Sequence, residues 1–322
     1  MTTQHSALST QHSPDLSIII VSWNVSRLLY DCLQSIAENK GALTIEIIVV
    51  DSASSDNTPE MVAREFPWVQ LVACNENVGF PKGNNMGMGR ANGRFILLLN
   101  PDTQLVGDAL ENMTAYLAAH SKIGMVGPQL LNGDLSVQSS RRRFPTVGTA
   151  FWESTWLQPV APKSILQRYY VQDVGDDQTV EVDWIMGACM MTRREIAAAV
   201  GGMDEAYFMY SEELDWCRRI KDAGWDIVYL PTAQVIHHYG KSSDQAATHR
   251  HINFNRAKLR YFRKYHGRFM TFVLRLFLLS NYLIQIILEG IKGIVGHKRP
   301  LRWQRVQSYW QVVRSGLRPA GY

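Results

Sequence analysis

The chain has 322 residues, 46% of them hydrophobic and 19% charged, a balance that allows a sizeable core and excludes global disorder. Its four cysteines, Cys32, Cys74, Cys189 and Cys217, lie far apart, which argues against a disulfide framework or a zinc site and fits a reducing compartment. The net charge of +4 hides an asymmetry: from His249 onward 15 Lys and Arg face one acid, Glu289, whereas the first 248 residues carry 18 basic and 28 acidic side chains. A basic end on a mildly acidic body is expected to meet anions, either phospholipid head groups or nucleic acid.

Residues 1–15 are polar and lack the apolar stretch of a secretion signal. They read as a flexible tail on a protein that is not exported. Residues 16–23 form an Ile- and Val-rich run before Asn24 and predict a buried parallel strand. Helical spacing follows at 28–38, then a second strand at 45–50 ending at Asp51. Turn chemistry at 54–57, a helix at 59–66 and a strand at 69–73 come next. A helix is expected to open near Gly83 and run to Ala91. A fourth strand at 94–99 ends at Asn100-Pro101-Asp102. Such alternation predicts an α/β fold, a mostly parallel sheet flanked by helices. Ligands of such sheets bind beyond the carboxyl ends of the strands, so Asn24, Asp51 and Asp102 are expected on one edge.

The second half is less regular. Strands are expected at 180–184 and 188–192, helices at 194–200 and 212–223, and short strands at 227–230 and 234–236. The charge balance places a boundary near His249. Residues 16–248 are thus expected to form the catalytic body, divided near residue 103, and 249–322 a basic, amphipathic helical extension. Within it, residues 272–288 are apolar except for Arg275, Ser280, Asn281 and Gln285. On a helix Arg275, Tyr282, Gln285, Glu289 and Lys292 fall on one polar stripe. The segment is shorter than the roughly 20 residues of a span, so a helix lying at a membrane surface is expected, with Trp303, Tyr309 and Trp310 as interfacial aromatics. A helical pair packed on the catalytic body or on a second copy in a homo-oligomer is the alternative. No nucleic-acid motif accompanies the basic end, and its apolar stripe favours lipid.

Several segments carry a resemblance. They are Ser17-Ile-Ile-Ile-Val-Ser-Trp-Asn24, Ile47-Ile-Val-Val-Asp-Ser-Ala-Ser-Ser-Asp-Asn57, Asn75-Glu-Asn-Val-Gly-Phe-Pro-Lys-Gly-Asn-Asn85 and Leu97-Leu-Leu-Asn-Pro-Asp-Thr103. Gly201-Gly-Met-Asp-Glu205, Phe208-Met-Tyr-Ser-Glu-Glu-Leu-Asp-Trp-Cys217 and His237-His-Tyr-Gly-Lys-Ser242 continue it. In this order they resemble the family-2 glycosyltransferases of the GT-A fold, in the rhamnosyltransferase-like branch, over residues 16–265. The resemblance implies an inverting transfer of a sugar, L-rhamnose from dTDP-rhamnose in this branch, from a nucleotide-sugar donor to a lipid-linked or polymeric glycan acceptor. UDP-galactofuranose is the next donor in line. It also implies a place at the cytoplasmic, inner face of a membrane. A nucleotidyltransferase, or a silent scaffold that kept the fold, is the competing reading.

The residues can be given roles on that basis. The resemblance places Ser22, Asn24, Asp51, Asn77, Gly79 and Asn100 around the nucleotide-sugar. Lys82, Asn84 and Asn85 lie in a Gly-rich loop near a helix start, where diphosphate or ribose can bind. A departing diphosphate calls for a hard divalent cation, Mg²⁺ or Mn²⁺. Asp102 is the expected ligand, from a motif whose first acid is here Asn100, and the resemblance implies His237 as a second, with His238 competing for that role. The family's Glu-Asp-x-Asp reads Glu212-Glu213-Leu214-Asp215, so Glu213 takes the general-base slot, with Glu212 and Asp215 behind it. The extra methylene of a Glu matters where geometry is strict. Trp184 and Gly187 resemble the loop under the donor sugar and acceptor. The run Arg141 to Arg143 can contact an anionic acceptor, although a solvated surface run explains at least two of the three.

Overall fold

The computed structural model describes residues 13–153, 155–238, 247–296 and 298–318. Most of the expected tail, and Gly240 and Ser242 of the last motif, lie outside the described residues.

Strands and helices alternate first, as β1 (Leu16–Ser22), α1 (Ser26–Asn39), β2 (Ile45–Asp51), α2 (Thr58–Glu65), β3 (Gln70–Ala73), α3 (Phe80–Met88) and β4 (Phe95–Leu99). Next come β5 (Thr103–Val106), α4 (Ala109–Ala119), β6 (Ile123–Leu131), β7 (Val137–Gln138), β8 (Arg141–Arg142), α5 (Val147–Trp152) and α6 (Lys163–Tyr169). β9 (Val180–Val182), β10 (Trp184–Ile185), β11 (Cys189–Arg193), α7 (Arg194–Val200), α8 (Glu212–Asp222) and β12 (Asp226–His237) follow, then α9 (Ala247–Ile294) and α10 (Arg299–Ser315).

The main sheet runs β3-β2-β1-β4-β11-β6-β12-β5. β1 is parallel to β2 and β4, β2 to β3, and β6 to β12. β11 is antiparallel to β4 and β6, and β5 to β12. Six of these eight strands therefore point the same way, as expected. Asn24, Asp51, Asp102 and His237, which end or follow such strands, lie along one edge.

Alternation along the strands sends side chains to two cores. Ile18 and Ile20 pack with Leu29 and Leu33 of α1 and Leu110 and Met113 of α4. Ile19 packs the opposite way, with Ile196 of α7 and Trp216 and Ile220 of α8. α3 lies against β1 because of two glycines one turn apart. A Cβ on Gly83 would come within 2.8 Å of Val21, and one on Gly87 within 2.3 Å of Ile19.

Three expectations need correction. α3 starts at Phe80, before Gly83, because Pro81 suits a first helical turn, where no amide donor is needed. The two short strands at 227–230 and 234–236 are one strand, β12, whose register against β6 shifts between Leu230 and Gln234. The irregularity around Pro231 hides this continuity in the sequence. The apolar segment 272–288 is part of a longer helix. α9 breaks at Gly267, where φ is +83°, and His249–Ile294 is long and apolar enough to cross a membrane by length and composition. The length argument against a span therefore does not hold.

α9 and α10 form a pair glued to the body by a third core, in which Leu259, Phe262, Leu274 and Leu278 meet Ala150 of α5, Leu214 of α8 and Val312 of α10. Glu289 is buried in the pair and answered by Arg302 at 2.6 Å, Lys292 at 3.4 Å and Arg305 at 3.6 Å. Phe272, Leu276, Ile287, Ile291 and Ile294 remain exposed.

Candidate active site

The Asn100-Pro101-Asp102 turn is held by its backbone. Asn100 N–H donates to the Ala188 carbonyl (2.9 Å), and His238 N–H to the Asp102 carbonyl (2.8 Å). The turn is thus clamped between the start of β11 and the end of β12, which brings His237 Nε2 to 3.4 Å from Asp102 Oδ1. Both side chains are buried.

A residue unnoticed in the sequence orients this pair. Gln138 Oε1 lies 2.7 Å from His237 Nδ1. Its Nε2 donates to Asn132 Oδ1 (2.8 Å) and to the His237 carbonyl (3.3 Å), so Oε1 is the acceptor and Nδ1 carries the proton. In a neutral imidazole Nε2 then presents its lone pair to the Asp102 carboxylate. Two acceptors this close fit a shared cation, and the Gln138 contact is the kind of outer support that metal-binding imidazoles have. Among the described residues no group of three or more His, Cys, Asp or Glu side chains forms a metal cluster. Two protein ligands with phosphate and water oxygens is a habit of Mg²⁺ and Mn²⁺ sites. Nearby, Asn100 Oδ1 and Ser22 Oγ are buried with no hydrogen-bond partner among the described residues.

The acidic helix α8 starts from a strained turn. Tyr210 and Ser211 have φ of +74° and +62°, a region that residues with a Cβ enter at a cost. This turn sets Glu213 against β10 and β11: a Cβ on Gly187 would sit 3.4 Å from Glu213 Cβ. Burial raises both carboxyl pKa values. Glu212 is lifted well above the usual range by burial and then by the charge of Glu213. Glu213 is raised by burial, against the pull of the backbone at the start of α8. Each has an Oε2 without a partner among the described residues.

Asp215 is employed elsewhere. It is fully buried and its Oδ1 accepts from Lys264 Nζ (2.7 Å) and Tyr265 OH (2.9 Å), both on α9, while Oδ2 accepts from Arg219 Nε (3.0 Å). Arg219 also binds the carbonyls of Val200 and Gly202. Asp215 therefore anchors α9 to α8, with no oxygen left for an acceptor.

On the nucleotide side, Asp51 is buried and closes a turn, accepting from Ser54 N–H (2.9 Å) and Ser54 Oγ (2.5 Å). Asn24 ties the same loop, accepting from Ser55 N–H at 2.7 Å. Asn77 Oδ1 accepts from Ser52 Oγ and Gly79 N–H. Lys82 is exposed, 4.0 Å from Glu76. Asn84 is buried and donates to the Phe80 carbonyl. Asn85 faces away: its amide donates to Met203 O and Glu205 Oε1 and accepts from Met203 N–H, so both ends hold the Gly202–Glu205 stretch rather than a ligand.

Trp184 is half-buried and donates its indole N–H to the Arg143 carbonyl. Of the arginine run, Arg142 and Arg143 are partly exposed, but Arg141 is not. Arg141 is buried, bound to Asp176 (2.8 Å) and to the Val174 and Gly175 carbonyls. Arg142 lies over the Tyr170 ring. A free cationic patch for an anionic acceptor is thus absent at Arg141.

The chain is similar to known glycosyltransferases in sequence and in fold. The chain is 29% identical over 210 residues to an N-acetylglucosaminyl-diphospho-decaprenol L-rhamnosyltransferase of Mycobacterium tuberculosis, covering 62% of this chain and 68% of that one. It is 30% identical over 172 residues to the rhamnosyltransferase WbbL of Escherichia coli, covering 50% and 61%. Its fold matches a mannosyltransferase of Pyrobaculum calidifontis, solved with GDP-Man and Mn²⁺, at a TM-score of 0.55 and 16% identity over 95% of this chain and 87% of that one. Residues 17–201, which hold β2, β3 and β4, the Asn-Pro-Asp turn and β11, match Glycosyl transferase family 2, and the chain belongs to that family of glycosyltransferases.

Proposed function

We propose that the chain transfers L-rhamnose, with inversion, from dTDP-rhamnose to a hydroxyl of a lipid-linked or polymeric cell-surface glycan. The observation that carries the chemistry is the shared edge: the Asp102–His237 pair and the Glu213 loop are joined through the Asn100–Ala188 hydrogen bond. The rhamnosyltransferase relatives support the sugar, and the one acting on a diphospho-decaprenol sugar supports a lipid-linked acceptor. UDP-galactofuranose is the alternative donor.

In this reading Asp51, Asn77 and the Gly79 loop shape the nucleotide site. Asp102 and His237 hold Mg²⁺ or Mn²⁺, which when bound neutralises charge on the leaving diphosphate. Glu213 takes the proton of the attacking hydroxyl, and its raised pKa strengthens it as a base. The exposed apolar side of α9, flanked by the basic residues of the C-terminal region, rests on the inner face of an anionic membrane.

Calorimetric titration with dTDP-rhamnose, UDP-galactofuranose, UDP-glucose and GDP-mannose, with and without Mn²⁺ or Mg²⁺, tests the donor. Metal-dependent binding of dTDP-rhamnose alone is expected. Preference for another donor, or equal binding without metal, would overturn that part of the reading.

A further inference from the structure

Charge is concentrated where α9 turns into α10. From Glu289 to Arg305 the chain carries five Lys and Arg and one acid. Three of the cations close on that acid. Arg302 Nη1, Lys292 Nζ and Arg305 Nη1 all lie within 3.6 Å of a Glu289 carboxylate oxygen. Gly293 lets the two helices approach this closely: a Cβ there would lie 3.5 Å from both Arg302 Cβ and the Trp303 ring.

The three cations are not equivalent. The Arg302 side chain is 13% exposed and bonds both Glu289 oxygens, at 2.6 and 3.0 Å. The Lys292 and Arg305 side chains are 50% and 46% exposed. One carboxylate neutralises one cation, so two positive charges stay uncompensated at the surface, one from each helix. Like charges held this close repel, and an outside anion that bonds both relieves the repulsion.

The surroundings select the source of the anion. Ile294 and Val295 at the turn are 75% and 78% exposed, and Trp303 is exposed beside them. The apolar stripe continues back along α9 through Ile291, Ile287 and Leu283. A soluble phosphate or a nucleic acid makes no use of aliphatic side chains. A membrane lipid offers a phosphate and hydrocarbon at adjacent depths, which the heads and stems of Lys and Arg match.

We propose that Lys292 and Arg305, fixed in place by Glu289, form a discrete site for the phosphate head group of an anionic membrane lipid. The inference rests on the membrane contact proposed above for α9 and deepens it, by giving that contact a defined lipid ligand. Ile294, Val295 and Trp303 enter the acyl boundary beside the bound phosphate.

The test is co-sedimentation of the full chain, at fixed ionic strength, with two kinds of vesicle. One is pure phosphatidylcholine and the other contains about 30% phosphatidylglycerol. Lys292→Gln combined with Arg305→Gln removes the two open charges and leaves the Glu289–Arg302 pair. Arg314→Gln combined with Arg318→Gln is the control for diffuse attraction. It removes two exposed charges, the first about 18 Å along α10 from Arg302. Wild type is expected to prefer the phosphatidylglycerol vesicles. The site variant should bind them roughly 30-fold more weakly, and the control within about threefold of wild type. All three proteins should bind pure phosphatidylcholine alike, and inorganic phosphate at matched ionic strength should not displace wild type. Equal loss in the two variants overturns the site in favour of diffuse charge. Displacement by inorganic phosphate overturns the lipid as its ligand. Wild type that binds both vesicles equally overturns the site and leaves the apolar contact of α9 standing. Wild type that binds neither overturns both.

Discussion

Phe80 donates its backbone N–H to the carbonyl of Phe208 across 3.0 Å. The bond latches the loop before α3, on the nucleotide side, to the turn before α8, which carries Glu213. Gly79 makes it possible: its φ is +77°, and a Cβ there would fall 2.7 Å from the same Phe208 oxygen. Gly79→Ala is expected to destabilise the fold by about 1–3 kcal/mol and to reduce both donor affinity and turnover. Urea unfolding alongside initial rates checks this. A variant with an unchanged midpoint and unchanged rates would refute the latch.

Asp102→Asn should lower kcat/KM by on the order of 100-fold or more while the circular dichroism melt stays within a few degrees of wild type. Gln138→Leu removes the support of His237 together with the bond to Asn132, and the Mn²⁺ concentration giving half-maximal rate should rise about 10- to 100-fold. Metal titrations on the two variants distinguish the ligand from its support. Near-normal turnover of Asp102→Asn would sink the cation assignment.

Glu213→Gln should have opposite effects on activity and stability. Turnover should fall about 10²- to 10⁴-fold with little change in donor binding. The wild-type kcat/KM should rise with pH through an acid limb displaced above the usual carboxylate range, because burial raises the Glu213 pKa. A raised carboxyl pKa stabilises the fold below the unfolded value of about 4.3, and that contribution is lost as pH rises through the folded value. At pH 8 the variant, which has no charge to bury, should therefore melt higher than metal-free wild type, with the gap closing toward pH 5. Loss of turnover in Glu212→Gln instead would place the base one residue earlier.

Asp215 touches no expected substrate position, yet it ties α8 to α9. Asp215→Ala leaves Arg219 and Lys264 without their shared anion, an effect of about 3–5 kcal/mol for a broken buried pair. The milder Tyr265→Phe removes one hydrogen bond, about 1 kcal/mol. Both should lower kcat more than they raise donor KM, because they disturb the helix that carries Glu213. If Tyr265→Phe leaves kcat and thermal midpoint alike, the anchor has no catalytic consequence.

Replacing Ile287 and Ile291 by Asp puts charge on the exposed apolar side of α9 without entering the third core. Co-sedimentation with vesicles containing about 30% anionic lipid should fall several-fold, with solution activity on a soluble acceptor retained. Undiminished co-sedimentation would reject this surface as the lipid contact, and a change in sedimentation velocity would point instead to a second copy.

The first four strands were legible because each is a short apolar run bounded by turn residues. Parallel direction then places Asn24, Asp51 and Asp102 on one edge. The helix at 194–200 was legible too, from its spacing alone. Between Thr103 and Tyr169 the two-residue strands β7 and β8 and the six- and seven-residue helices α5 and α6 were not, because they are too brief for a period to show.

Local pattern thus determined the parallel half of the fold, its ligand edge and the acidic start of α8. The tertiary structure decided how those side chains are used. Asp215 and Glu213 stand two residues apart on one helix, but only the partners on α9 turn Asp215 into an anchor. Asn85 is held by residues more than a hundred positions away, and His237 is oriented by Gln138, 99 residues earlier. Contacts over such separations leave no period or spacing in the sequence, because burial and hydrogen bonding are set by what the folded chain brings alongside.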